Sequence, residues 1–201
     1  MNDDLINAWK HTSIFDEQLQ CNLSQLESTE TYPEHWNVSL DIIAEQKPNS
    51  LLDIGCGCGA FSEVCHRHFP SMKYCGCDYS SAAIDLANET WKNRCFFEKD
   101  IMDMTTEDVS PFDMVYTSAL FDVSPIGDEL LEHLLSIRPQ TILLSRIKIV
   151  DVPSFYRRYT AYSGLETCAF YHNSQNLVDM FDKHNYTYIC KNDHILLRTT
   201  E

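Results

Sequence analysis

Leu51-Leu52-Asp53-Ile54-Gly55-Cys56-Gly57-Cys58-Gly59 is the stretch on which the fold turns. An apolar run too short for a helix enters a turn built from alternating glycines, and Ala60 onward has the composition of a helix. A buried strand running through a glycine-rich turn into a helix is the start of a βαβ unit in which backbone can approach a ligand closely.

Outward from that turn, strands and helices alternate. The pattern predicts a strand at Leu51–Ile54, a helix around Ala60–Phe69, a strand at Lys73–Cys77 and a helix at Ser81–Lys92. Strands at Cys95–Glu98 and Phe112–Thr117, a helix at Gly127–Ile137 and a strand at Thr141–Ser145 follow. Such alternation implies parallel pairing through right-handed crossovers. The end of the chain differs. After a helix at Gln175–His184, strands Tyr186–Cys190 and Ile195–Thr199 are separated only by a short turn, which is antiparallel hairpin spacing. The expected fold is α/β: a Rossmann-like, doubly wound, mostly parallel seven-stranded sheet with a C-terminal antiparallel hairpin and helices on both faces.

Upstream, Pro33, Trp36, Leu40, Ile43 and Pro48 mark out a helix. Residues 1–30 are polar, with Leu5, Ile6 and Trp9 as the only early apolar cluster, and read as a short helix or arm. At 201 residues the chain is expected to form one domain: an N-terminal helical segment over 1–48 and a core over 49–201. The stretch Asp151–Asn173, rich in Tyr, Arg and Phe, is too long for an ordinary connector and is expected to act as a substrate lid.

Fifteen Lys and Arg face thirty Asp and Glu, a formal charge of −15. A surface so acidic repels a phosphate backbone, and Arg157-Arg158 is the only close basic pair, so nucleic acid is not an expected partner and a small-molecule substrate is. The N-terminus lacks the apolar run of a signal peptide, and no stretch approaches the roughly 20 apolar residues of a membrane span. A cytoplasmic protein without membrane contact is the expectation. Nine cysteines then read as reduced thiols. Cys56-x-Cys58 and Cys75-x-Cys77, with Cys65, His66 and His68 nearby, raise a metal site, but small residues beside glycines and on a buried strand need no metal to explain them. No metal is expected, and oligomeric state is not specified.

Ligands of open parallel sheets bind beyond the carboxyl ends of the strands. Asp53, Asp78 and Asp100 each stand at such an end. Any one of them is as readily a strand-end or helix-capping residue. Three at successive strand ends point to a shared nucleoside.

On these residues the sequence resembles the class I S-adenosylmethionine-dependent methyltransferases, whose first motif, acidic-x-Gly-x-Gly-x-Gly, is matched by Asp53, Gly55, Gly57 and Gly59. The resemblance implies S-adenosyl-L-methionine as cofactor and S-adenosyl-L-homocysteine as product. It implies that Gly55, Cys56 and Gly57 pack against that cofactor, that Asp53 lies near its ammonium, and that Asp78 binds the ribose hydroxyls. Asp100 would take the adenine amine, with Tyr79 and Ile101 on either side of the ring. Phe112 to Leu120 resembles the fourth motif, which puts Thr117 and Ser118 beside the methionine moiety. The tetrapeptide Thr117-Ser118-Ala119-Leu120 is not the polar-Pro-Pro-aromatic motif of the adenine- and amide-methylating members. Methyl transfer to an O or N atom of a small molecule, a sugar or another metabolite, is therefore the expected activity.

Two other readings stand beside it. Gly55-x-Gly57-x-x-Ala60, with Asp78 roughly 20 residues on, also satisfies the NAD(P)-dependent oxidoreductase fingerprint. Against that stand Asp53, a charge where the fingerprint ends an apolar strand, and Asp100, for which it has no use. A non-catalytic cofactor-binding partner or sensor is the second. For the acceptor, Tyr32, Trp36, Arg157, Tyr162 and Tyr171 are the expected substrate residues. His172, which closes the long segment, is the expected general base, with His35 and His133 behind it. Trp36 also fits a core position, and Arg157 a solvated charge.

Overall fold

The computed structural model describes residues 3–10, 14–27 and 32–200, apart from the side chains of Asp3 and Ser163. Helices α1 (Asp3–Ile6), α2 (Phe15–Glu27) and α3 (Glu34–Gln46) precede β1 (Ser50–Ile54). Then come α4 (Ala60–His68), β2 (Lys73–Asp78), α5 (Ser81–Thr90), β3 (Cys95–Glu98), α6 (Thr106–Val109), β4 (Met114–Ser118), α7 (Gly127–Ser136) and β5 (Thr141–Ser145). Strands β6 (Ile149–Val150), β7 (Phe155–Ala161) and β8 (Leu165–Asn173) lead to α8 (Ser174–Lys183), β9 (Tyr186–Lys191) and β10 (His194–Thr199).

Seven strands form the main sheet in the order β3-β2-β1-β4-β5-β10-β9. All neighbours are parallel except at β10, which runs antiparallel to both β5 and β9. The order reverses beside β1, so the crevice at the carboxyl ends opens where β1 and β4 part, the place where such sheets take ligands.

Side-chain alternation builds the two covered faces. Leu51 of β1, Met114 and Tyr116 of β4, Leu143 of β5 and Leu196 of β10 point to one side, where they meet Trp36, Leu40 and Ile43 of α3 and Phe61 and Val64 of α4. Leu52, Val115, Ile142, Leu144, Ile195 and Leu197 point to the other, against Leu131 and Leu134 of α7 and Leu177 and Phe181 of α8. Pro33 caps α3 and Lys47, in a left-handed conformation, ends it before Pro48, as its prolines predict.

Three findings depart from the sequence reading. The stretch expected to be a lid is mostly a β-hairpin: β7 pairs antiparallel with β8 through the Tyr162–Gly164 turn, and β6 joins β8 on its other edge. Within the N-terminal arm, α2 is a thirteen-residue helix whose Phe15, Leu19 and Leu26 are buried. Last, Cys75 and Cys95 are joined as a disulfide, contrary to the expectation of nine free thiols. They sit opposite each other in the β2–β3 register with Cα atoms 4.6 Å apart, a separation that accommodates the bridge. Among the described residues no helix is long and apolar enough to cross a membrane.

Candidate functional site

The three carboxylates expected at strand ends do share one cavity, of about 560 Å³, beyond the carboxyl ends of β1 to β5. Asp53, Gly55, Cys56, Gly57, Asp78, Tyr79, Asp100, Ile101 and Ser118 all line it, as do Trp36 and Tyr162. That volume lies within the range of small-molecule sites, roughly 300–1,000 Å³.

Each acidic group is held by its neighbours. Asp53 is 3 % exposed and takes the Tyr74 hydroxyl at 2.5 Å from the adjacent strand. Burial pushes its carboxyl up to about 7, against the pull of the Tyr74 bond, and Asp78 pushes the same way. Asp78 accepts the Gly57 amide on one oxygen and the Ser80 amide on the other, both at 2.9 Å. Burial raises it to about 6 although backbone bonds from Ser80, Gly57 and Tyr79 oppose the shift. Asp100 accepts the Met102 amide at 3.0 Å and caps the short helical turn Ile101–Asp103. A capping role and a place on the cavity wall thus coexist, since an ionised carboxylate has about four acceptor sites and one bond leaves the others free.

The turn between β1 and α4 takes the conformation its glycines allow. Gly55, Gly57 and Gly59 all have positive φ, and a Cβ on Gly59 would fall 2.7 Å from the Phe96 ring. From the other side α2 lies over the turn: Asn22 Nδ2 donates to Cys58 Sγ at 3.6 Å, Cys58 Sγ donates to Gln18 Oε1 at 3.7 Å, and both polar residues of α2 line the cavity. Tyr79 anchors the segment before α2, accepting the Trp9 amide at 3.1 Å and donating to the Ile6 carbonyl at 3.2 Å.

Several expected site residues lie elsewhere. Thr117 is buried within β4, its hydroxyl without a partner, and it does not reach the cavity wall. Tyr32 packs edge-on against Trp36 and His68, outside the cavity. On the hairpin, position along the strands separates residues that share a face: Phe155, Arg157 and Tyr159 alternate onto one side of β7, and the end nearer the Tyr162–Gly164 turn reaches the cavity. Tyr171 stacks on Phe155 at 4.8 Å with the Arg157 guanidinium over both rings, away from the cavity, whereas Tyr159 and Tyr162 line it.

His172, the expected base, is fully buried with Nδ1 2.6 Å from Asp128 Oδ1 of α7 and its ring against Phe170. It ties β8 to α7 and does not line the cavity, so its placement is a correction to that expectation. His133, beside the Met104 carbonyl, lies outside as well. Of the three candidate histidines, His35 alone lines the cavity. Burial, then the charges of Arg146 and His194, hold its ring down to about 4, so it is neutral at pH 7.

Arg146 is the wall residue that sequence reasoning missed. It follows β5 with φ 64°, lines the cavity and donates from Nε to Ser118 Oγ at 3.1 Å. Ala119, after β4, is also left-handed and on the same wall. Among the described residues no group of three or more His, Cys, Asp or Glu side chains is arranged to hold a metal ion.

The cavity suits an adenosyl sulfonium: carboxylates face it from β1, β2 and β3, and the turn beside them carries no bulk. Residues 52–138 match the family model described as a methyltransferase domain. The chain is 30% identical over 87 residues to trans-aconitate 2-methyltransferase of Escherichia coli O1:K1 / APEC, covering 43% of this chain and 34% of that protein. With the enzyme of the same name from Yersinia pestis (strain Pestoides F) it shares 28% identity over 123 residues, 59% of this chain and 45% of the relative. The matched segments thus span less than half the length of these curated relatives.

Among solved structures, human N-acetylserotonin methyltransferase in complex with S-adenosylmethionine superposes with a TM-score of 0.66 at 15% identity, covering 100% of this chain and 60% of that one. A sugar N-methyltransferase from Streptoalloteichus sp. ATCC 53650 gives 0.60 at 12% identity, covering 90% and 93%. These two likenesses speak for the fold. The family match favours the methyltransferase reading over the oxidoreductase one that the glycine spacing leaves open. Residues 52–138 thus carry a match to a methyltransferase domain, and the strand order and acidic glycine turn around them resemble those of the class I S-adenosylmethionine-dependent methyltransferases.

Proposed function

We propose that this protein moves a methyl group from S-adenosyl-L-methionine to an oxygen or nitrogen of a small molecule, a sugar or another metabolite. One observation carries the reading: Asp53, Asp78 and Asp100, from three different strand ends, line a single cavity beside a turn of left-handed glycines. In this proposal Asp53 faces the cofactor's ammonium, Asp78 its ribose hydroxyls and Asp100 its adenine amine, with Tyr79 and Ile101 beside the ring. Bonds from ionised carboxylates are about twice as strong as neutral ones, so three of them specify this ligand well. The bound cofactor supplies an electrophilic methyl group on a sulfonium.

The protein's own task is then to hold an acceptor lone pair in line and keep water out. We assign the water-excluding roof to residues 3–10 and 14–27 and to the hairpin residues Tyr159 and Tyr162. His35 lines the same wall, but burial and the Arg146 charge hold its ring down to about 4 and make it a weak base, so we assign no general base. The sugar-modifying neighbour and the aconitate-modifying relatives both support a small metabolite as acceptor.

The test is incubation of the purified protein with methyl-labelled S-adenosylmethionine and a metabolite extract, then identification of the labelled product. A labelled small molecule is the expected result. S-adenosylhomocysteine failing to bind in a calorimeter would overturn the proposal.

A further inference from the structure

The cavity is electrically two-sided. Its β1–β3 end is acidic, whereas the ends of β4 and β5 carry Ser118, Ala119 and Arg146. Lys99 is the other cation of the wall, and it is within 3.5 Å of Asp108. Among the described residues no carboxylate forms an ion pair with Arg146, in a chain with twice as many acidic as basic side chains.

Among the described residues, the Arg146 side chain makes one hydrogen bond, from Nε to Ser118 Oγ. A guanidinium has five N–H donors in a planar fork, so the terminal nitrogens remain available for a bidentate partner. Its backbone is a second, independent pointer. Arg146 is a left-handed non-glycine residue, a conformation that costs energy and gathers at ligand sites. Ala119, left-handed too, donates its amide to the Ser145 carbonyl at 3.2 Å and so ties the two strained tips together. His35 and Tyr162 both lie within the field of the Arg146 charge and line the same cavity.

We infer that Arg146 is the anchor for a carboxylate on the methyl acceptor, so that the substrates of this enzyme are carboxylate-bearing small molecules held at the β4–β5 end while the adenosyl group occupies the β1–β3 end. This rests on the methyltransferase reading and adds the substrate class to it. The anion pairs with a guanidinium that forms no ion pair among the described residues, although the Asp53 charge lies within its field, and Ser118 holds its Nε. The hydroxyls of a neutral sugar can accept from the fork but leave its charge without a counterion.

The test is calorimetric titration of succinate, fumarate, citrate, benzoate and glucuronate, each beside its amide, into the full chain saturated with S-adenosylhomocysteine. At least one carboxylate is expected to bind tenfold or more tightly than its amide. Arg146→Gln should remove that preference and Arg146→Lys should keep part of it, with S-adenosylhomocysteine affinity changed less than threefold in both. Arg146→Gly guards against misfolding, because glycine accepts the left-handed backbone while the cation is lost; it should behave as Arg146→Gln does. Carboxylates binding no better than amides, or a preference that survives Arg146→Gln, overturns the inference. Failure of the parent chain to bind S-adenosylhomocysteine at all is a distinct result, which removes the methyltransferase proposal beneath it.

Discussion

Asp78 Oδ2 accepts the amide of Gly57 at 2.9 Å, so the carboxylate at the tip of β2 holds the turn that follows β1. Position of the turn and charge in the cavity therefore depend on the same side chain. Asp78→Ala removes both, whereas Asp78→Asn keeps an acceptor and removes the charge. S-adenosylhomocysteine affinity should fall about 10- to 100-fold in Asp78→Asn, the worth of hydrogen bonds to a charged group, and further in Asp78→Ala. Calorimetry on the two variants checks the order.

Protonation should weaken the same ligand. Burial raises Asp78 to about 6 and Asp53 to about 7, from ordinary values near 3.8. A ligand bearing an ammonium prefers the ionised forms, so lowering the pH from 8 to 5 should cost about tenfold or more in affinity. For the free protein the sign is opposite. Folded values above the unfolded ones mean that these two groups favour folding below about pH 4, a contribution lost as the pH rises through about 6 and about 7. The shift in Tm caused by S-adenosylhomocysteine should accordingly grow between pH 5 and pH 8, which thermal scans with and without ligand will show.

His172 is expected to matter for stability and not for ligand binding. Its ring is fully buried between Phe170 and Asp128, outside the cavity. His172→Ala should cost about 1–3 kcal/mol of stability through a lost buried bond and an unfilled space, with S-adenosylhomocysteine affinity unchanged. Denaturant titration and calorimetry on one preparation separate the two effects. A variant as stable as the parent but unable to bind would return His172 to the site.

The disulfide makes a countable prediction. Unreduced, denatured protein should present seven reactive thiols, those of Cys21, Cys56, Cys58, Cys65, Cys77, Cys168 and Cys190, and nine after reduction. Nine before reduction would restore the expectation drawn from the cysteine count.

Much of this architecture is legible in the sequence because buried parallel strands are short apolar runs and their helices carry the intervening length. The strands Cys95–Glu98 and Thr141–Ser145 begin and end where the residues predict. The hairpin is harder to see. Phe155 to Ala161 is almost wholly exposed, so no apolar–polar alternation marks it, and only its aromatic and threonine content and Gly164 hint at paired strands. Helix α2 has a signal in Phe15, Leu19 and Leu26 at helical intervals, diluted by the polar residues between them.

The acidic half of the cavity is readable for the reason the fold is: its residues follow strand ends directly. Arg146 is not, since nothing in Ser145-Arg146-Ile147 announces a left-handed backbone at the tip of β5. His172 fails as a base for a similar reason. Its place at the end of a long segment says where the chain is, whereas the β8 register decides that it turns toward α7.

Because Gln18 and Asn22 of α2 rest on the glycine turn, occupancy of the cavity and seating of the N-terminal helix are thermodynamically reciprocal. A ligand that saturates the proposed nucleoside end is expected to slow cleavage within residues 15–27, and removing those residues is expected to weaken that ligand. The N-terminal stretch thereby becomes a reporter of ligand state, legible by limited digestion alone.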